Sequence, residues 1–133
     1  MKDLRELVIP EELRYSSDHE WVRVEGDRVR VGITDYAQDQ LGDVVFVEMP
    51  AIGARFDEGQ SFGVVESVKA VSDLLMPVGG EILEVNDALG SAPQLVNQSP
   101  YGGGWVVLVR PSDPAGPDRL LSREDYLELL EHA

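Results

Sequence analysis

Lys69 is the only lysine in the body of this chain, and so the only side-chain amine there for covalent attachment. Eleven residues are basic, and only Lys2 and Lys69 among them are lysine. Lys2 stands at the start of the chain, so nine arginines supply nearly all the remaining positive charge. A guanidinium stays protonated and is a poor nucleophile, whereas an amine can lose its proton and be acylated. A lysine isolated in this way, at a turn between two strands, is what a covalent attachment site needs. The alternative is a hydrated surface lysine in an arginine-rich chain. Other chemistry is sparse. There is no cysteine, hence no thiol nucleophile, disulfide framework or thiolate metal site. His19 and His132 are too few for a histidine-built zinc site, so no metal centre is expected. His19 also has no identifiable nucleophile beside it. No Gly-x-Ser-x-Gly elbow occurs, and Gly102-Gly103-Gly104 lacks the spacing of a dinucleotide loop. A stand-alone hydrolase is therefore not expected.

The pattern around Lys69 names the elements that must position it. Phe62 to Ser67 and Val71 to Leu75 read as apolar strands flanking Val68-Lys69-Ala70. The tip has no glycine or asparagine, so the favoured two-residue turn is excluded. Upstream, Tyr15 to Ile33 reads as a hairpin around Glu25-Gly26-Asp27, with Val29, Val31 and Ile33 alternating against Arg28, Arg30 and Gly32. Thr34 is a candidate cap for a short helix ending at Leu41, with Gly42 stopping it in the left-handed position. Asp43 to Met49 is apolar at nearly every position, which predicts a strand covered on both faces. Pro10 suits the first turn of a short N-terminal helix. Ser91 is a candidate cap for a helix from Ala92 through Val96. Trp105 to Val109 alternates and should finish a sheet. Ser122 caps a C-terminal helix whose Tyr126, Leu127 and Leu130 recur at helical spacing. About seven short strands at intervals near ~8–12 residues predict a mainly β sandwich or barrel.

A length of 133 residues suits one domain, read as an N-terminal extension over 1–14, a β core over 15–110 and a C-terminal helix over 118–133. The net charge of −14 opposes binding to nucleic acid or anionic membrane surfaces and leaves basic protein partners open. No apolar run approaches the ~20 residues of a membrane span, and residues 1–15 lack the profile of a signal or transit peptide. A cytoplasmic monomer is the expectation, with a mature organellar form as the alternative.

Glu66-Ser67-Val68-Lys69-Ala70, with Asp18-His19-Glu20-Trp21-Val22 upstream, resembles the H protein family of the glycine cleavage system. The likeness runs collinearly from about Tyr15 to Leu130. It includes Gly32-Ile33-Thr34-Asp35-Tyr36-Ala37, Leu41-Gly42-Asp43, Val47-Glu48-Met49-Pro50, Asn97, Pro100-Tyr101 and Gly104-Trp105. Biotin carriers instead read Met-Lys-Met, and lipoyl domains of 2-oxoacid dehydrogenases usually read Asp-Lys-Ala. The resemblance implies a barrel-sandwich hybrid of two small sheets with short flanking helices and a C-terminal helix. It implies lipoate in amide linkage to Lys69, within the attachment motif Glu66, Ser67, Val68 and Ala70. It implies a non-catalytic carrier that takes the aminomethyl group of glycine from the P protein to the T protein and is reoxidised by the L protein. Lipoate-attaching enzymes are a further implied partner. The same fold used as a relay, donating lipoyl groups to 2-oxoacid dehydrogenase complexes, is the alternative. The resemblance also implies a cleft to which the loaded arm returns. There Glu20 and Asp73, both taken as anions, would bind an ammonium while His19 and Trp21 shape the walls. Met76, Gly79 and the run Gly102-Gly103-Gly104 depart from the family pattern, in loops away from the lysine.

Overall fold

The hairpin that opens on Lys69 belongs to the smaller of two antiparallel sheets. The computed structural model describes residues 2–132. In chain order the elements are β1 Arg14–Tyr15, β2 Glu20–Glu25, β3 Arg28–Ile33, α1 Asp35–Leu41, β4 Val44–Glu48, β5 Arg55–Phe56, β6 Ser61–Ser67, β7 Val71–Leu75, β8 Gly80–Val85, α2 Ala88–Ser91, α3 Leu95–Gln98, β9 Val107–Pro111 and α4 Arg123–Glu131. One sheet has the order β1-β2-β3-β9-β8-β5 and the other the order β4-β6-β7. This is the expected mainly β barrel-sandwich architecture. No helix among the described residues is long and apolar enough to cross a membrane.

Two cores follow from strand alternation. Val22, Val29, Val31, Ile82, Val107 and Val109 pack from the large sheet against Val47, Phe62, Val65 and Leu74 of the small one. Trp21 points the other way, as successive strand residues must. It joins Ile9, Leu13, Tyr15, Tyr126 and Leu130 in a second cluster under α4. Trp21 lies opposite Gly32 on β3, and a Cβ on Gly32 would come 2.6 Å from the indole Nε1. The glycine thus makes room for the tryptophan. Gly32→Ala is expected to cost about 1–3 kcal/mol through overpacking, read as a lower midpoint in urea unfolding with an unchanged slope.

Several sequence expectations need correction. The N-terminal extension contributes Ile9 and Leu13 to the core. The helical turn of this segment is a short 3-10 turn at Leu4–Glu6, capped by Asp3, and not a helix starting at Pro10. Ser91 closes α2 instead of capping the next helix, and α3 starts after Gln94 with no side-chain cap. Strand β9 sits between β3 and β8 in the middle of its sheet, and Trp105 precedes it. The C-terminal helix spans Arg123–Glu131 behind the Ser122 cap, while Gly116–Arg119 is a separate 3-10 turn. Gly42 does stop α1 with φ 77°, but its ψ of −160° is extended and not left-handed helical. Strand β4 is covered on one face only: Val44 and Val47 are buried, while Val45 and Phe46 are 52% and 51% exposed. A bulge between Val44 and Phe46 is the cause, since an extra residue breaks the alternation and turns both side chains outward.

Candidate functional site

The β6–β7 hairpin holds Lys69 at a braced tip. The Ser67 N–H donates to the Ala70 carbonyl at 2.8 Å. The Ser67 hydroxyl oxygen accepts from the Ala70 N–H at 3.0 Å and from the Lys69 N–H at 3.3 Å. One serine therefore supplies the turn chemistry that glycine or asparagine would otherwise provide. The Val68 N–H donates to the Asp43 carbonyl at 3.0 Å, tying the tip to the corner after α1. Lys69 is exposed, and its stem rests over Gly42: a Cβ there would lie 3.3 Å from Lys69 Cε and 3.9 Å from Nζ. Among the described residues no ion pair engages Nζ. Glu66 and Ser67 are half-buried, and Val68 and Ala70 are exposed on either side of the lysine.

Asn97 holds the corner under the lysine. Its Nδ2 donates to the Gly42 carbonyl at 2.8 Å and to Gln38 Oε1 at 3.0 Å. Its Oδ1 accepts from the Val44 N–H at 2.9 Å. Asn97→Ala leaves three polar groups without this partner and is expected to cost about 1–3 kcal/mol. Hydrogen exchange checks this: the Val44 amide should lose protection selectively.

Beside the hairpin lies a cleft of about 440 Å³ between the free edge of β7, helix α1 and the start of β2. Its lining includes His19, Glu20, Tyr36, Leu41, Val65 and Asp73. Glu20 is only 2% exposed. It shares the facing of Val22 on β2, so it looks toward the small sheet. Its carboxyl accepts from the Ser16 hydroxyl at 2.6 Å and from the Leu75 N–H at 3.4 Å. It thus reaches from one sheet to the edge of the other. Burial pushes its pKa up to about 8, against the opposing pull of the Ser16 and Leu75 hydrogen bonds. Without a cation beside it, Glu20 is mainly a neutral acid near pH 7, which corrects the expectation of an anion.

His19 has φ 70°, the only non-glycine residue with positive φ among those described. Such a conformation is uncommon for a side-chain-bearing residue and needs support from its surroundings. Here its N–H donates to the Ser16 carbonyl at 3.2 Å and its carbonyl accepts from the Thr34 N–H at 3.0 Å. Its ring lies 4.7 Å from Tyr36, centroid to centroid, and its Nδ1 is 2.9 Å from the Tyr126 hydroxyl. That hydroxyl is also 2.8 Å from Thr34 Oγ1. Burial lowers the His19 pKa, despite the opposing charge of Asp18.

Asp73 is exposed at the cleft rim. It pairs with Val64, so its side chain faces away from buried Leu74 and toward Ser61, whose hydroxyl is 3.5 Å from Oδ1. Trp21 does not line the cleft. It is fully buried in the second core, and its Nε1 donates to the Pro100 carbonyl at 2.9 Å. The physical reason is strand alternation: Glu20 and Trp21 are adjacent, so only one can face the cleft. Sequence reasoning missed Ser16, Tyr36 and Tyr126. Tyr126 was legible only as a helical core position, and nothing local links it to His19, 107 positions away.

Comparison with known proteins agrees along almost the whole chain. The family model described as glycine cleavage H-protein matches residues 13–133. A glycine cleavage system H protein of Carboxydothermus hydrogenoformans is 54% identical over 124 residues, covering 93% of this chain and 95% of that protein. One from a Geobacillus species is 53% identical over 122 residues, covering 92% and 96%. The crystal structure of a glycine cleavage system H protein from Mycobacterium marinum superposes with a TM-score of 0.85 at 40% identity, covering 92% of this chain and 99% of that one. Together with the two sheets and the lysine hairpin, these matches establish that the chain belongs to the glycine cleavage H-protein family.

Proposed function

We propose that the chain is the lipoyl carrier of the glycine cleavage system, with lipoate in amide linkage to Lys69 Nζ. The observation that carries this reading is an exposed amine on a braced hairpin tip, beside a cleft floored by a buried carboxyl. The residues fit the group. Attachment needs a reachable primary amine on a fixed origin, and Ser67 and Asp43 hold that origin. The absence of cysteine also removes any intramolecular thiol that would exchange with a dithiol. Lipoate held on Lys69 would supply a disulfide able to take up the aminomethyl group of glycine at the P protein and release it at the T protein, leaving a dithiol for the L protein to oxidise.

The chain's own residues position and shelter. Ser67 fixes the turn, and Glu66, Val68 and Ala70 complete the attachment motif. Glu20 on the cleft floor and Asp73 on its rim are the carboxyls proposed to receive an ammonium, with His19 shaping the wall. Trp21 acts only through packing behind β2. A cation beside Glu20 favours its charged form, so ammonium binding displaces the Glu20 proton to solvent. The resulting charge-assisted hydrogen bond gains strength from burial. On this reading the protein is a monomeric cytoplasmic carrier and not a catalyst. Peptide-level mass measurement on protein purified from cells that make lipoate tests it. A lipoyl increment at Lys69 is expected, and an unmodified Lys69 throughout the population would sink the proposal.

A further inference from the structure

Four of the seven large apolar side chains exposed among the described residues surround the Lys69 hairpin. Val45 and Phe46 are 52% and 51% exposed, and Val68 and Val71 are 70% and 69% exposed. Phe46 pairs across to Glu66, which pairs across to Val71, so the three side chains form one row on the outer face of the small sheet. Val44 lies opposite Ser67, which places the bulged Val45 beside the base of the tip. Val68 is the residue before Lys69. The β4 bulge is what turns Val45 outward beside Phe46, a side-chain re-aiming for which bulges are often used. Exposed apolar groups gathered in one place mark an interaction site more often than scattered ones do.

The rim of this patch is acidic. Asp43, Glu48 and Asp73 are exposed around it, and Glu66 is half-buried within it. Lys69 is the only basic residue within β4 and the β6–β7 hairpin, in a chain of net charge −14. A complementary partner therefore has an apolar centre and a basic border.

We propose that Val45, Phe46, Val68 and Val71 form the docking surface for the enzyme that acylates Lys69, a protein presenting a basic-rimmed apolar footprint. This rests on the carrier reading above. The location selects this partner over others. An enzyme that reacts with Nζ must bring an acyl carbon to within about 3 Å of it, the distance of a near-attack geometry. It must then cover the hairpin tip. Enzymes that act at the far end of an attached arm need not touch its base. In the step served, the amide C–N bond forms and the bond from the acyl carbon to its activating leaving group breaks. The leaving group departs with that electron pair, and the ammonium of Lys69 gives up two protons. No redox partner is required.

The test compares the full-length protein with the double variant Val45→Thr, Phe46→Ser, using a purified lipoate–protein ligase with ATP and lipoate. Both positions are exposed, so thermal unfolding should be nearly unchanged. The KM for the carrier is expected to rise about tenfold or more with kcat little altered, the size of losing a central apolar anchor. Acetylation of Lys69 by acetic anhydride, followed on the Lys69 peptide, should proceed at the wild-type rate. Raising the salt should also raise the wild-type KM. An unchanged KM for the double variant overturns the docking surface. So does a normal KM accompanied by slower aminomethyl transfer, which would assign the patch to an arm-end enzyme. Failure of the wild-type protein to be lipoylated at all counts instead against the carrier reading.

Discussion

Lys69→Arg is expected to abolish lipoylation completely while leaving the fold unchanged. Arginine keeps the positive charge and much of the length, so any effect of charge at the tip is retained. It removes the acylatable amine, because a guanidinium stays protonated. The side chain is exposed and engages no carboxylate among the described residues, so its replacement costs little stability. Mass spectrometry should show the lipoyl increment in wild type and none in the variant, with superposable unfolding curves. A lipoyl increment that persists in the variant would transfer attachment to Lys2 or the N-terminal amine. Lys2 is a poor candidate, because its Nζ is held 3.0 Å from both oxygens of buried Asp35.

The second large effect is in pH dependence. Glu20 titrates near 8 in the folded protein, against an ordinary value of 4.5. Its folded-state pKa is raised, so between these values the native state binds the proton more tightly than the unfolded chain does. Stability from this group is fully present below about pH 4.5 and is lost as pH rises through 8. Glu20→Gln removes the titration while retaining an oxygen for Ser16 and Leu75. The variant should therefore lose less stability than wild type between pH 5 and pH 9, by up to a few kcal/mol at about 1.4 kcal/mol per pKa unit. His19 works in the opposite sense, since its lowered pKa favours the native state as pH rises toward 6.5. Both proteins share that contribution, so the difference between them isolates Glu20. Parallel stability profiles for the two proteins would show that Glu20 is not held neutral. A cationic amine that occupies the cleft should flatten the wild-type profile selectively.

The small strands, the α1 cap at Thr34 and the α4 cap at Ser122 were readable because each depends on neighbours within a few residues. Lys69 stands out in the sequence for a different reason. Its rarity is a property of composition, and its flanking motif is contiguous. Most of the errors share a physical source. In β4 a run of apolar residues suggested cover on both faces, but a bulge is set by the partner strand β6 and cannot be read from β4. The segment around Pro10 failed likewise, because Ile9 and Leu13 pack into the second core, whereas exposed Ser91 simply ends α2.

The sequence by itself determined the family through its motifs and a mainly β fold through period-two alternation, and it singled out Lys69 as the one lysine in the body of the chain, because all three are local or compositional properties. The resemblance implied a cleft at Glu20 and Asp73, but tertiary structure alone decided how it is built. It put Glu20 in the space between the sheets and sent its neighbour Trp21 to the opposite core. It brought Tyr126 from α4 to the His19 ring, and Asn97 to the corner under Lys69. It also left Val45 and Phe46 uncovered beside the hairpin. Each of these depends on which strands pair and how far a side chain is removed from water. Burial, and with it the protonation state of Glu20, is a property of the assembled sheets and not of any stretch of chain.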